Sequence, residues 1–97
     1  MSALKIAPQR YDRMSQPERA KLRGEYVREQ NGLCCHCNGP LKDAPPSSIT
    51  GKLIDWRKFP PHFTRLPVHL HHSHKTGLTI GAVHSLCNAV LWQYHGE

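Results

Sequence analysis

The sequence predicts a small α+β domain with one N-terminal helix, few short strands and a bound metal as staple. Three observations point there. A capped helical segment precedes a cluster of cysteines; a run of alternating residues that reads as a hairpin follows it; and paired Cys/His half-sites flank the stretch between them. The chain has 97 residues, the size of one domain. Such a domain buries only roughly 60–65% of the surface its unfolded chain exposes, and apolar residues make up 38% of this one. A core this thin calls for a further staple. Metal binding can supply it, at about 10–16 kcal/mol in small zinc modules.

Residues 1–14 read as a loose basic arm, and residues 15–97 as the single domain. "SQPERAKLRGEYVREQNG" carries helix punctuation. Ser15 can cap, Pro17 suits the first turn, and Glu18 completes a capping box. Leu22, Tyr26 and Val27 form a narrow apolar stripe, and Gly32 is a stop. Arg19, Lys21, Arg23 and Arg28 are expected on the solvent side. "LCCHCNGPL" is a tight turn. "KDAPPSSITGK" reads as a flexible loop, "LIDW" as a short strand, and "FPPHFTRLP" as irregular chain because of its three prolines. "VHLHH" and "LTIGAV" read as two strands joined by an "HKTG" turn. From about Ser85, "SLCNAVLWQYH" reads as a final helix. Leu70, Leu78, Ile80, Val83, Leu86, Val90 and Leu91 are the expected core, with Trp92 and Tyr94 packing the last helix.

The four cysteines are Cys34, Cys35, Cys37 and Cys87. Three crowded into four positions make a poor disulfide framework and a good metal half-site. Cys34-x-x-Cys37 lets a tight turn aim two thiolates at one ion, and His84-x-x-Cys87 repeats the spacing. Together they predict a closed, structural Cys3His zinc site. Cys35 reads as a spectator; Cys35 as a ligand, or His95 in place of His84, are the alternatives. No apolar run is long enough to span a membrane, and the N-terminus lacks an apolar signal core. The expectation is a soluble cytoplasmic protein in a reducing compartment.

Formal net charge is +6, from 13 Lys+Arg against 7 Asp+Glu, which favours a polyanionic partner. From Lys52 to Lys75 five basic residues meet one acid, interleaved with Trp56, Phe59 and Phe63. Arg57, Lys58, Arg65 and Lys75 are the candidate phosphate contacts. The three aromatic residues either cover the zinc module or touch nucleic acid.

The segment "HLHHSHKTGLTIGAVHSLCN" holds five of the eight histidines. With His84 given to zinc, His71, His72, His74 and Asn88 remain on a strand–hairpin–helix pattern. This resembles the HNH, or ββα-metal, nucleases, and within them the phage recombination endonuclease VII group. The resemblance rests on His71-His72-Ser73-His74, the Gly-containing hairpin "KTGLTIG", and His84-Ser85-Leu86-Cys87-Asn88. "REQNGLCCHCNGPL" adds the first zinc half-site, and the whole covers roughly residues 24 to 94.

The resemblance implies a zinc-stapled ββα-metal fold that nicks or cleaves DNA by phosphodiester hydrolysis with one divalent ion, and a bacteriophage origin. It makes His72 the general base that activates water, a task suited to a group titrating near neutrality. It gives His71 and Asn88 to the catalytic ion, with Asn88 also orienting the site, and His74 to the scissile phosphate or the ion. Two departures stand out. The group has Asp at the His71 position, and imidazole favours Mn²⁺, Ni²⁺ or Zn²⁺ over Mg²⁺. It also often has Asp or Glu at the Ser73 position, so charge density here is lower. Separately, His84 stands where the group has Cys, and histidine is a competent zinc ligand. Adjacent strand residues point to opposite faces, so the strand must end or distort between His71 and His72 for both to serve one site. The second reading is a non-catalytic zinc module that binds nucleic acid or a phage or host protein. The His72/Asn88 pair separates the two, since a pure binder has no need of it.

Overall fold

The computed structural model describes residues 6–96. The first helix, α1 (Gln16–Glu29), begins where the capping box places it. The Ser15 hydroxyl accepts from the Glu18 N–H at 3.3 Å, and the Glu18 carboxylate accepts from the Ser15 N–H at 2.9 Å. It ends at Asn31 and Gly32, both with positive φ, where the Gly32 N–H returns to the Val27 carbonyl at 2.8 Å. Leu22 and Tyr26 are its buried residues.

The hairpin forms where the sequence places it, although burial along its strands does not alternate. β1 (Val68–His72) pairs antiparallel with β2 (Thr79–His84), from Val68 opposite His84 to His71 opposite Gly81. There the register shifts, and His72 faces Thr79. The distortion that two functional histidines in succession would require therefore lies between His71 and His72. The final helix, α3 (Ser85–His95), starts directly at the end of β2. α1 and α3 both pack on the hairpin, and a short helix α2 (Ser47–Thr50) packs on α3. The core is Leu22, Tyr26, Leu41, Ile49, Leu70, Ala82, Val83 and Val90, together with Cys34 and Cys87.

The outer edge of β2 does not stay open. Gln30 acts as a side-chain clamp on it. Its amide oxygen accepts from the Ala82 N–H at 2.9 Å, and its amide nitrogen donates to the carbonyls of Ala82 at 2.9 Å and Leu33 at 2.7 Å. The Cys35 N–H also donates to the Ala82 carbonyl at 3.0 Å. A Cβ at Gly81 would come within 2.8 Å of the Gln30 amide oxygen, so this close approach needs glycine.

Several expectations are corrected. Residues 1–5 of the expected arm lie outside the described residues, but residues 6–14 are not loose. Thr79 donates to the Gln9 carbonyl and Tyr11 to the Gly77 carbonyl, both at 2.9 Å, and Arg10 bridges Leu78. The unpaired polar edge of β2 is the reason, because its backbone groups need partners. "LIDW" is no strand: it runs into a 3-10 turn at Trp56–Lys58 capped by Asp55. The "KDAPPSSITGK" loop contains α2, whose Ile49 anchors in the core. Leu78 and Ile80 are each 37% exposed rather than core: Leu78 precedes β2, and Ile80 has no residue opposite it where the register shifts, between buried Thr79 and Gly81. No described helix is long and apolar enough to cross a membrane.

Removing the clamp tests this account. Gln30→Ala strips hydrogen bonds from Ala82 and Leu33 and should cost about 2 kcal/mol of unfolding free energy. Urea denaturation of the metal-loaded protein would read it as a lowered midpoint at unchanged slope.

Candidate functional site

The two half-sites meet. The knuckle turn 34–39 is shaped by Asn38, at φ +64°, and by the Cys34 N–H donating to the Gly39 carbonyl at 2.8 Å. It sits against the junction of β2 and α3, which supplies His84 and Cys87. One ligand atom from each of Cys34, Cys37, His84 and Cys87 lies within 4.8 Å of the others. This Cys3His group could hold a metal such as zinc. The finer geometry fits. His84 Nδ1 is 3.5 Å from Cys37 Sγ and 3.6 Å from Cys87 Sγ. A tetrahedron with Zn–S of about 2.3 Å and Zn–N of about 2.0–2.1 Å has an N···S edge of about 3.5–3.6 Å.

The surroundings orient the donors. His84 Nε2 lies 2.9 Å from the Pro40 carbonyl and 2.8 Å from that of Asp43. With both neighbours acceptors, Nε2 carries the proton and Nδ1 is left as ligand. Backbone N–H groups of His36 and Gly39 donate to Cys34 Sγ and Cys37 Sγ, each at 3.4 Å, stabilising thiolate. A hydrogen bond from Cys87 holds the Cys34 thiol well below its ordinary range, while Cys87 is pushed upward by that same contact. One proton shared between two sulfurs is what a soft cation would displace. Cys35 is exposed and outside the group, and the His95 ring sits by His36 at 6.1 Å instead.

A second feature is a cavity of about 410 Å³ between α1, β1, α3 and the proline-rich segment. His72, His74 and Asn88 line it, as does His69. His72 stacks on Tyr11 at 3.8 Å between centroids and lies nearly parallel to His74 at 5.0 Å. The Asn88 amide nitrogen is 3.1 Å from His69 Nδ1. His71 is the predicted site residue that is not brought to this wall: it is 5% exposed, in β1 opposite Gly81. Burial lowers the pKa of His72, and the charges of His74, His71 and Arg19 add to this. Burial lowers that of His69 as well, with Arg23 contributing. Among the described residues these histidines form no second group of three or more convergent metal donors.

The cationic residues divide differently from expectation. Lys58 lines the cavity. Arg57 is paired with Asp55, with Nε to Oδ1 at 3.0 Å, and Arg65 and Lys75 are exposed away from it. Arg19 and Arg23, expected on the solvent face of α1, instead line the cavity and are half-buried. Arg19 donates to the Tyr11 carbonyl at 2.9 Å from Nη2 and lies 3.8 Å over the Tyr11 ring. His69, Arg19, Arg23 and Tyr11 are thus the residues that sequence reasoning missed as site residues. The signal for His69 was its membership of the same histidine-rich run on β1. For Arg19 and Arg23 there was only their spacing of one helical turn.

Comparison with known protein families, with characterised proteins and with solved structures finds no match.

The metal group yields a clear prediction. Purified protein should carry one zinc per chain, and Cys35→Ser should keep it. Cys87→Ser should lose it and unfold well below the parent's melting temperature, as should the parent after chelation. Elemental analysis and circular dichroism melts would check both.

Proposed function

We propose that the protein is a metal-dependent endonuclease of the HNH type, stapled by a structural zinc at Cys34, Cys37, His84 and Cys87, that nicks or cleaves DNA. One observation supports it above the rest: His72, His74 and Asn88 share a cavity with Arg19, Arg23 and Lys58. An imidazole pair and an amide beside three cations match what phosphodiester hydrolysis needs.

His72 is the general base in this reading. Its lowered pKa keeps it neutral at neutral pH, ready to take a proton from water. Tyr11 fixes its ring plane by stacking. Arg19, Arg23 and Lys58 hold the phosphate charge, and His74 contacts the scissile group. His71 and Asn88 are the donors for a divalent ion in this reading, with water and phosphate oxygens completing its shell, and His69 Nδ1 lies 3.1 Å from the Asn88 amide nitrogen and orients that side chain. Bound there, the ion would supply Lewis-acid stabilisation of the phosphoryl group. An imidazole–amide pair suits Mn²⁺ or Ni²⁺ better than Mg²⁺. A phage origin and action on phage or host DNA in the host cytoplasm complete the reading.

A second reading is a non-catalytic zinc module that binds nucleic acid or a phage or host protein. It draws on the absence, among the described residues, of a second convergent donor group beside the cavity.

Relaxation of supercoiled plasmid decides between them. The wild type should nick in Mn²⁺ or Ni²⁺ faster than in Mg²⁺, and His72→Ala should lose about 10²–10⁴-fold while keeping its zinc. A folded, zinc-loaded wild type that cuts in no divalent metal would establish the binding module.

The pH profile is a further check. A base with a depressed pKa works above that pKa and fails as pH falls through it. The acid limb of kcat/KM should therefore lie below the ordinary histidine value of 6.5. Tyr11→Ala, which uncovers His72, should move that limb upward.

A further inference from the structure

We propose that the cavity takes one unpaired nucleotide of a single-stranded DNA, its base against Phe59, Phe63 and Trp92 and its phosphates toward Arg19, Arg23 and Lys58. The inference deepens the nuclease reading and rests on it for the identity of the strand.

The aromatic wall carries the argument. Phe59 meets Phe63 at 4.8 Å and Trp92 at 5.1 Å between centroids, and Phe63 meets His69 edge-on at 4.8 Å. These rings are not among the residues of the hydrophobic core. They line an open cavity, and Trp92 is 37% exposed. Large aromatic faces turned to a cavity rather than to the core mark a surface for a ligand. The ring series ends at His69, whose Nδ1 meets Asn88. The apolar wall thus runs directly into the proposed reactive cluster.

Charge completes the specification. Arg19, Arg23 and Lys58 line the same cavity as the aromatic rings, and no described carboxylate does. Such a lining suits a ligand that is flat and apolar in one part and anionic in another, as a nucleotide is. The volume, about 410 Å³, falls in the range of small-ligand sites, about 300–1,000 Å³. A base inside a duplex has both faces covered by its neighbours. Only an unstacked base offers a face to Phe63 or Trp92.

The test is binding, measured separately from cleavage. Zinc-loaded His72→Ala protein, without added divalent ion, is titrated with octathymidylate, a fully abasic octamer of equal phosphate number, an eight-base-pair duplex and thymidine monophosphate. Tryptophan quenching reports occupancy. The single strand should bind about tenfold or more tightly than the abasic octamer, and more tightly than the duplex. Phe63→Leu, which keeps apolar bulk but removes the ring, should abolish that preference and leave abasic affinity unchanged. Equal affinity for intact and abasic octamers overturns the proposal. So does mononucleotide binding as tight as the strand's, which would mean a free nucleotide site. Wild-type plasmid nicking without base preference would leave the nuclease standing and remove the pocket. Base preference without cleavage would do the reverse.

Discussion

The rest of the structure hangs on the convergence of four side chains from two distant stretches of chain. Cys34 and Cys37 come from a turn after α1, and His84 and Cys87 from the junction of β2 and α3. This group joins the knuckle to the hairpin and the last helix at one point. The hydrophobic core around them is small, and two of the cysteines are members of it. A metal ion held by this group would therefore anchor elements that apolar burial alone holds weakly. The Gln30 clamp and the Cys35 N–H reinforce the same joint by filling the β2 edge beside it.

That joint also sets up the cavity. Because α3 begins directly at His84, Asn88 falls one turn into the helix and reaches β1 at His69. Metal group and cavity thus share one short stretch, with His84 and Cys87 facing the knuckle and Asn88 facing the histidines. The N-terminal segment closes the other side. Its backbone completes the β2 edge, and this places Tyr11 on His72 and draws Arg19 in over Tyr11. A segment recruited to satisfy backbone hydrogen bonds thereby shapes the environment of the candidate base.

Much of this was legible from local chemistry. The Ser15/Glu18 capping box set the start of α1. The alternation of "VHLHH" and the "HKTG" turn after it marked the hairpin. The repeated x-x spacing of Cys34/Cys37 and His84/Cys87 set the metal group. Each signal depends on residues close in sequence, where spacing fixes geometry. "LIDW" and Ile80 misled because strand propensity and apolarity say nothing of which edge or face is available. Ile80 lies at a register shift that depends on both strands.

The sequence by itself determined the elements that follow from periodicity, capping and ligand spacing, and it marked the histidine segment as chemically unusual. Only the tertiary structure decided which histidine meets Asn88, that Arg19 and Arg23 face a cavity rather than water, and that Phe59, Phe63 and Trp92 form one wall of it. Those outcomes depend on how α1, β1, α3 and the proline-rich segment close around a shared volume. They are properties of packing between elements, which no single stretch of residues encodes.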